Sequence, residues 1–280
     1  MEQYHRDDLI FDVRDAGPAD GPVVVLLHGF PQHNDSWNAV IDRLVAQGYR
    51  CLAPNQRGYS PGARPSRRRD YRIPELVADL GALIDASGAQ KVHLVGHDWG
   101  AAVAWAAAAE MPERLATVSP ISVPHPAAFL KSFANSRQGL ASWYMYAFQL
   151  PRIPEWSMLR RDGAMMYKSL RQAGQAPAAA KRDAAAMSEP EALTAAINWY
   201  RAMPLSNPRA ISQKVSVPTL YVWSDRDVAL LPKSAHNTAR YVTGEYRFEI
   251  LPGVSHWIPD EQPDMLADLL LDWFAGHPLH

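Results

Sequence analysis

In Gly96-His97-Asp98-Trp99-Gly100 an aspartate sits between two glycines, where the apolar run Val92-His93-Leu94-Val95 passes into an alanine-rich stretch. A carboxylate presented at such a strand-to-helix corner can displace a leaving group from a saturated carbon, forming an alkyl ester that water then cleaves. A serine at the same corner attacks acyl carbons instead, and by displacement would end as an inert ether. The helix expected to begin near Trp99 offers unpaired backbone N–H groups and the positive end of its dipole, both of which favour the ionised carboxylate. The plainer role open to Asp98 is that of an N-cap.

Three further loops carry residues suited to that chemistry. His28-Gly29-Phe30-Pro31 follows the apolar run Val23-Val24-Val25-Leu26-Leu27. A glycine and a proline directly after a buried strand force a tight turn and leave N–H groups uncommitted at the strand's carboxyl end. The Phe30 and Trp99 N–H groups are the expected oxyanion donors. Ser224-Asp225-Arg226-Asp227 follows Pro218-Thr219-Leu220-Tyr221-Val222-Trp223, and Gly253-Val254-Ser255-His256-Trp257 follows Phe248-Glu249-Ile250-Leu251. Of ten histidines, His256 stands out by its place after the last strand, while His28, His97 and His125 suit loop hydrogen bonds or pocket walls. Either Asp225 or Asp227 could partner a histidine.

The elements that must position these loops alternate. Phe11-Asp12-Val13, Val23–Leu27, Cys51–Pro54, Val92–Val95, Leu115–Val123, Pro218–Trp223 and Phe248–Leu251 read as strands. Helices are expected at Trp37–Ala46, opened by Asp35 or Ser36, at Ile73–Ser87, at Ala101–Glu110 and at Met265–Phe274. Short apolar runs alternating with helices imply a largely parallel sheet. From Pro124 to about Pro208 buried-strand runs are missing, and Trp, Tyr, Phe, Met and Ala recur at helical spacing, so a helical cap is expected. The division is therefore a core of residues 1–123 and 209–280 with a cap of residues 124–208.

Length and charge exclude several classes. The 280 residues suit one α/β domain with an insertion, and the net charge of −1 argues against a dedicated nucleic-acid or acidic-membrane surface. Arg67-Arg68-Arg69 reads as a solvated loop. The single cysteine, Cys51, rules out an intramolecular disulfide and reads as packing. The polar N-terminus lacks an apolar signal region and no stretch has membrane-spanning length, so a soluble cytoplasmic protein is the default. No metal or organic cofactor is called for, and self-association into a homo-oligomer stays open.

With these residues in hand, the chain resembles the epoxide-hydrolase branch of the α/β-hydrolase superfamily over essentially its whole length. The resemblance rests on His28-Gly29-Phe30-Pro31, on Gly96-His97-Asp98-Trp99-Gly100 as a nucleophile elbow, on Asp227 after a late strand, and on Gly253-x-x-His256-Trp257. It implies an α/β-hydrolase fold, a mostly parallel central sheet flanked by helices with an inserted helical cap. It further implies Asp98 as nucleophile, His256 as base and Asp227 as its orienting acid. Tyr144, in Tyr144-x-x-x-Phe148-Gln149, and Tyr200, in Asn198-Trp199-Tyr200-Arg201, resemble the family's ring-opening tyrosines, with Tyr146 and Tyr167 in reserve. His28, Pro31, Phe148, Trp199 and Trp257 are the expected walls of a pocket for a small lipophilic epoxide and water. Asn55, where aspartate is common, and Ser60, where glycine is common, depart from the family pattern. Rival readings are a haloalkane or haloacid dehalogenase using the same Asp98 and His256, and a non-catalytic ligand-binding member of the fold.

Overall fold

The computed structural model describes residues 1–207 and 213–279. Its eight strands are β1 Gln3–Arg6, β2 Leu9–Ala16, β3 Val23–Leu27, β4 Arg50–Pro54, β5 Val92–His97, β6 Leu115–Ile121, β7 Thr219–Ser224 and β8 Tyr246–Leu251. They form one sheet in the order β1-β2-β4-β3-β5-β6-β7-β8. Only β2 breaks the parallel pattern, running antiparallel to β1 and to β4. The polar tetrapeptide of β1 has no apolar run to announce it. Its pairing rests on Tyr4, which is opposite Phe11 in register and stacks on it at 4.7 Å.

Every residue of β3 and β5 is buried, as strands covered by helices on both faces must be; β3 is apolar throughout, while β5 buries His93 and His97 among its apolar residues. Along β3 the side chains alternate. Val23, Val25 and Leu27 enter one core with helices α2 (Ile73–Ser87) and α3 (Trp99–Glu110), while Val24 and Leu26 enter a second core. That second core is closed by α1 (Asn38–Ala46) and the helix Pro263–Ala275. The segment around Asp35 and Ser36 winds as a 3-10 turn over Asn34–Trp37, so α1 itself starts one residue later than the spacing predicts. Cys51 lies wholly inside this second core, where burial pushes its thiol up to about 12. The residues that depart from the family pattern hold their loop together. Asn55 Oδ1 accepts from the Asn34 N–H at 2.9 Å, and Ser60 Oγ donates to the Asn55 carbonyl at 2.7 Å.

Between β6 and β7 the described residues contain no strand but seven α-helices and a closing 3-10 turn, Met203–Leu205: α4 Pro126–Asn135, α5 Gln138–Ala141, α6 Trp143–Ala147, α7 Ile153–Leu159, α8 Ala164–Gln172, α9 Pro177–Ala186 and α10 Pro190–Ala202. We refer to this insertion as the cap. Four of these helices carry proline in their first turn, where its missing N–H costs nothing and its fixed φ starts a new helix. The expected end of the cap at Pro208 lies outside the described residues. The Trp199 indole of α10 donates to the Arg57 carbonyl at 2.8 Å, and Arg182 of α9 pairs with Asp260 at 3.1 Å, fastening cap to core.

The two glycines of the elbow allow a crossing that no side chain would permit. A Cβ on Gly96 would lie 2.2 Å from the Gly100 carbonyl oxygen, and one on Gly100 would lie 2.2 Å from that of Leu27. The obstructing atoms are backbone and cannot rotate away. Gly100→Ala is therefore expected to cost about 3 kcal/mol or more of unfolding free energy in urea denaturation, with loss of the folded elbow. A loss below about 0.5 kcal/mol would contradict this crossing.

Candidate active site

Asp98 occupies the corner between β5 and α3 with φ 51° and ψ −118°, a sparsely populated conformation for a non-glycine residue. Its side chain makes no capping hydrogen bond to α3, which sets aside the plainer N-cap role. The carboxylate turns outward instead. Oδ1 accepts the Phe30 N–H at 2.8 Å, and Oδ2 lies 3.5 Å from His256 Nε2. Burial pushes the Asp98 pKa up, but the hydrogen bond and charge of His256, the charge of His97 and the Phe30 N–H outweigh it. The net shift is below the ordinary aspartate value.

His256, in the loop after β8, donates from Nδ1 to Asp227 Oδ2 at 2.7 Å. Asp227 is in turn fixed by two backbone donors, the Ala229 N–H at 2.8 Å and the Leu230 N–H at 2.9 Å, both to Oδ1. Asp225 is exposed and accepts the Gly253 N–H at 2.7 Å, so of the two aspartates it is Asp227 that meets the histidine. Burial opposes charge on His256, yet Asp227 and Asp98 on either side raise its pKa to about 10. His97, fully buried, sits between the His256 carbonyl at 2.9 Å and Gln32 Oε1 at 3.0 Å. This places it among the loop-bonding histidines.

A cavity of about 240 Å³ opens beside Asp98, with Trp99, Trp105, Phe129, Leu230, Tyr144 and Tyr200 on its walls. Tyr144 comes from α6 and Tyr200 from α10, with ring centroids 6.0 Å apart at 79°. Burial, followed by the Asp98 charge, raises both phenol pKa values, so both hydroxyls keep their protons. Tyr200 packs edge-on to Trp99 at 5.0 Å and to Phe30 at 5.4 Å. Tyr146 and Tyr167, the reserve tyrosines, are exposed on the cap and stand outside the cavity.

The expected pocket walls need correction, for none of the five lines the cavity. His28 is buried below it, its Nε2 accepting the Gln56 N–H at 3.1 Å, and burial lowers its pKa to about 3. Pro31 is buried in the turn after Phe30. Phe148 packs behind the tyrosines, 4.8 Å from the Tyr200 ring. Trp199 is spent on the cap-to-core hydrogen bond already described. Trp257 backs the His256 ring at 5.2 Å and donates to the Ala173 carbonyl at 3.2 Å. The actual walls include Ala102, Trp105, Ala106 and Ala109, one face of α3 at i, i+3, i+4 and i+7. Those alanines carry the signal that could have been read, because small side chains along one helix face leave room for a ligand.

The sequence matches the alpha/beta hydrolase fold family over residues 22–263. It is 36% identical over 267 residues to the AB hydrolase superfamily protein YfhM of Bacillus subtilis, covering 93% of each chain. To Epoxide hydrolase A of Mycobacterium tuberculosis it is 33% identical, covering 94% of each chain. The crystal structure of Epoxide Hydrolase A from Mycobacterium thermoresistibile superposes with a TM-score of 0.85 at 26% identity, over 99% of this chain and 98% of that one. The chain accordingly belongs to the α/β-hydrolase fold superfamily, in its epoxide-hydrolase branch.

Proposed function

We propose that the protein hydrolyses epoxides to vicinal diols, and the observation that carries this reading is the pair Tyr144 and Tyr200 lining one cavity with Asp98. An epoxide leaves as an alkoxide, which needs a proton donor in the transition state. Two protonated phenols supply that need. With the epoxide oxygen on the tyrosines, Asp98 Oδ2 attacks a ring carbon, the carbon–oxygen bond opens, and a phenol proton passes to the new hydroxyl. Oδ1 stays on the Phe30 N–H as the ester carbonyl oxygen. Water then adds to that carbonyl, giving its proton to His256, while the Phe30 and Trp99 N–H groups hold the oxyanion. Collapse releases the diol, protonated by His256, and the Asp98 proton returns through solvent to the phenolate.

The electrostatics time these steps. In the free enzyme His256 lies between two carboxylates and holds its proton to about pH 10, so it is no base at neutrality. Esterification erases the Asp98 charge, one of the two that hold this proton. The imidazole pKa falls, its proton leaves to solvent, and the base appears once there is an ester to cleave. His256 takes a proton back from solvent when Asp98 regains its charge. A cavity of about 240 Å³, below the usual range of about 300–1,000 Å³ for drug-sized ligands, and with mainly apolar walls, favours a compact lipophilic epoxide.

A dehalogenase would use the same Asp98 and His256, but there the tyrosines would have no task and the Trp99 ring faces Tyr200. A pure binder would have no use for an imidazole held between two carboxylates. Offered epoxides beside haloalkanes, the protein should release diol and no halide, and Asp98→Ala should release neither. Tyr144→Phe and Tyr200→Phe should each lower kcat/KM by about 10²-fold, and the double variant by more. Halide release, or full activity of the double variant, would overturn the reading.

His256 also sets a pH dependence of stability. Its folded pKa of about 10 exceeds the ordinary 6.5, so its contribution is complete below pH 6.5 and is lost as pH rises through about 10. Over that window the Tm of the wild type should fall more steeply than that of His256→Gln. Parallel profiles would show that the imidazole is not held charged.

A further inference from the structure

The near-zero total charge hides a segregation. Between residues 131 and 168 six basic side chains are exposed, Lys131, Arg137, Arg152, Arg160, Arg161 and Lys168, against one exposed acid, Asp162. The other acid of this stretch, Glu155, is buried against Arg201 at 2.7 Å. None of the six cations forms an ion pair among the described residues. Elsewhere Arg6, Arg50, Arg57 and Arg114 all do.

The same stretch carries large apolar side chains turned to solvent. Leu140 is 77% exposed, Trp143 66%, Tyr146 60%, Ile153 54% and Trp156 62%. On α6 the outward Trp143 and Tyr146 flank Tyr144 and Met145, which line the cavity, so the two surfaces lie on opposite sides of one helix. Phe133 of α4 packs on Tyr146 at 5.9 Å, and the Arg160 guanidinium lies 4.5 Å over the Trp156 ring. Arg201 holds the turn between α6 and α7 by donating to the Phe148 carbonyl at 3.0 Å and the Leu150 carbonyl at 2.7 Å. The exposed residues are thus presented by a fixed scaffold.

We propose that this outer face of the cap docks peripherally on the surface of an anionic phospholipid bilayer. Tryptophan and tyrosine suit the boundary between head groups and acyl chains, where an apolar body and a polar tip are both satisfied. Unpaired arginine and lysine gain from anionic head groups, and the gain is screened by salt. A second copy fits worse, because a two-fold interface would set six uncompensated cations against the same six. The contact is superficial, since no helix among the described residues is long and apolar enough to cross a membrane. The sequence-based expectation against an acidic-membrane surface rested on total charge, which averages over this patch.

The test is flotation of the full chain with vesicles of phosphatidylcholine, alone or mixed with phosphatidylglycerol. Binding to the mixed vesicles should exceed binding to phosphatidylcholine by about tenfold or more and should collapse at high salt. Arg160→Glu with Arg161→Glu should weaken it by roughly tenfold per reversal, and Trp143→Ser with Trp156→Ser should weaken it at low salt too, all with unchanged thermal unfolding. No binding, or equal binding to both vesicles, would overturn the proposal. So would a dimer in solution that Trp143→Ser with Trp156→Ser disperses, which would make a second copy the occupant.

Discussion

The close crossing of α3 over the ends of β3 and β5 is the constraint on which the site depends. Gly96 and Gly100 leave no space for a side chain there, and the chain between them must reverse within three residues. Asp98 absorbs the turn at positive φ, and its carboxylate is thrown out above the carboxyl ends of the strands. The loop after β3 meets it there, with the Phe30 N–H on Oδ1. Strain at one residue is held by burial of β3 and β5 on both faces, which makes the sheet a stiff platform.

A second constraint is electrostatic. Two carboxylates face one imidazole, Asp227 at 2.7 Å from Nδ1 and Asp98 at 3.5 Å from Nε2, and together they raise its pKa against the cost of burial. In the proposed reaction the arrangement holds at rest and yields when Asp98 is esterified. Cap and core are tied through α9 and α10, so Tyr200 is delivered to the cavity by a helix that is itself anchored.

Much of this was legible in the chain. A continuous apolar run marks β3, a mainly apolar one marks β5, and the spacing of Leu76, Val77, Leu80, Leu83 and Ile84 marks α2. Asp98, His256 and the two tyrosines are named by motif and resemblance; Asp98 lies beside His256 and shares one cavity with both tyrosines. Residue type alone leaves Asp225 and Asp227 open and the resemblance favours Asp227; the fold of the loop after β7 turns that one toward His256. Pocket walls were misread for a related reason. An aromatic residue shows by its type that it wants burial, not against what, so Phe148 and Trp199 are packed behind the site. The real wall on α3 is Trp105 with three alanines, and alanines read as helix formers when their face is unknown.

The central claim is that Asp98 forms a bond to the substrate rather than directing water at it. A single turnover of excess enzyme in water carrying a heavy oxygen isotope distinguishes the two. If the ester forms, the diol takes its new oxygen from Asp98 and leaves unlabelled, while the label appears in the Asp98 carboxylate. Label in the diol of that first turnover, with none on Asp98, would contradict the account.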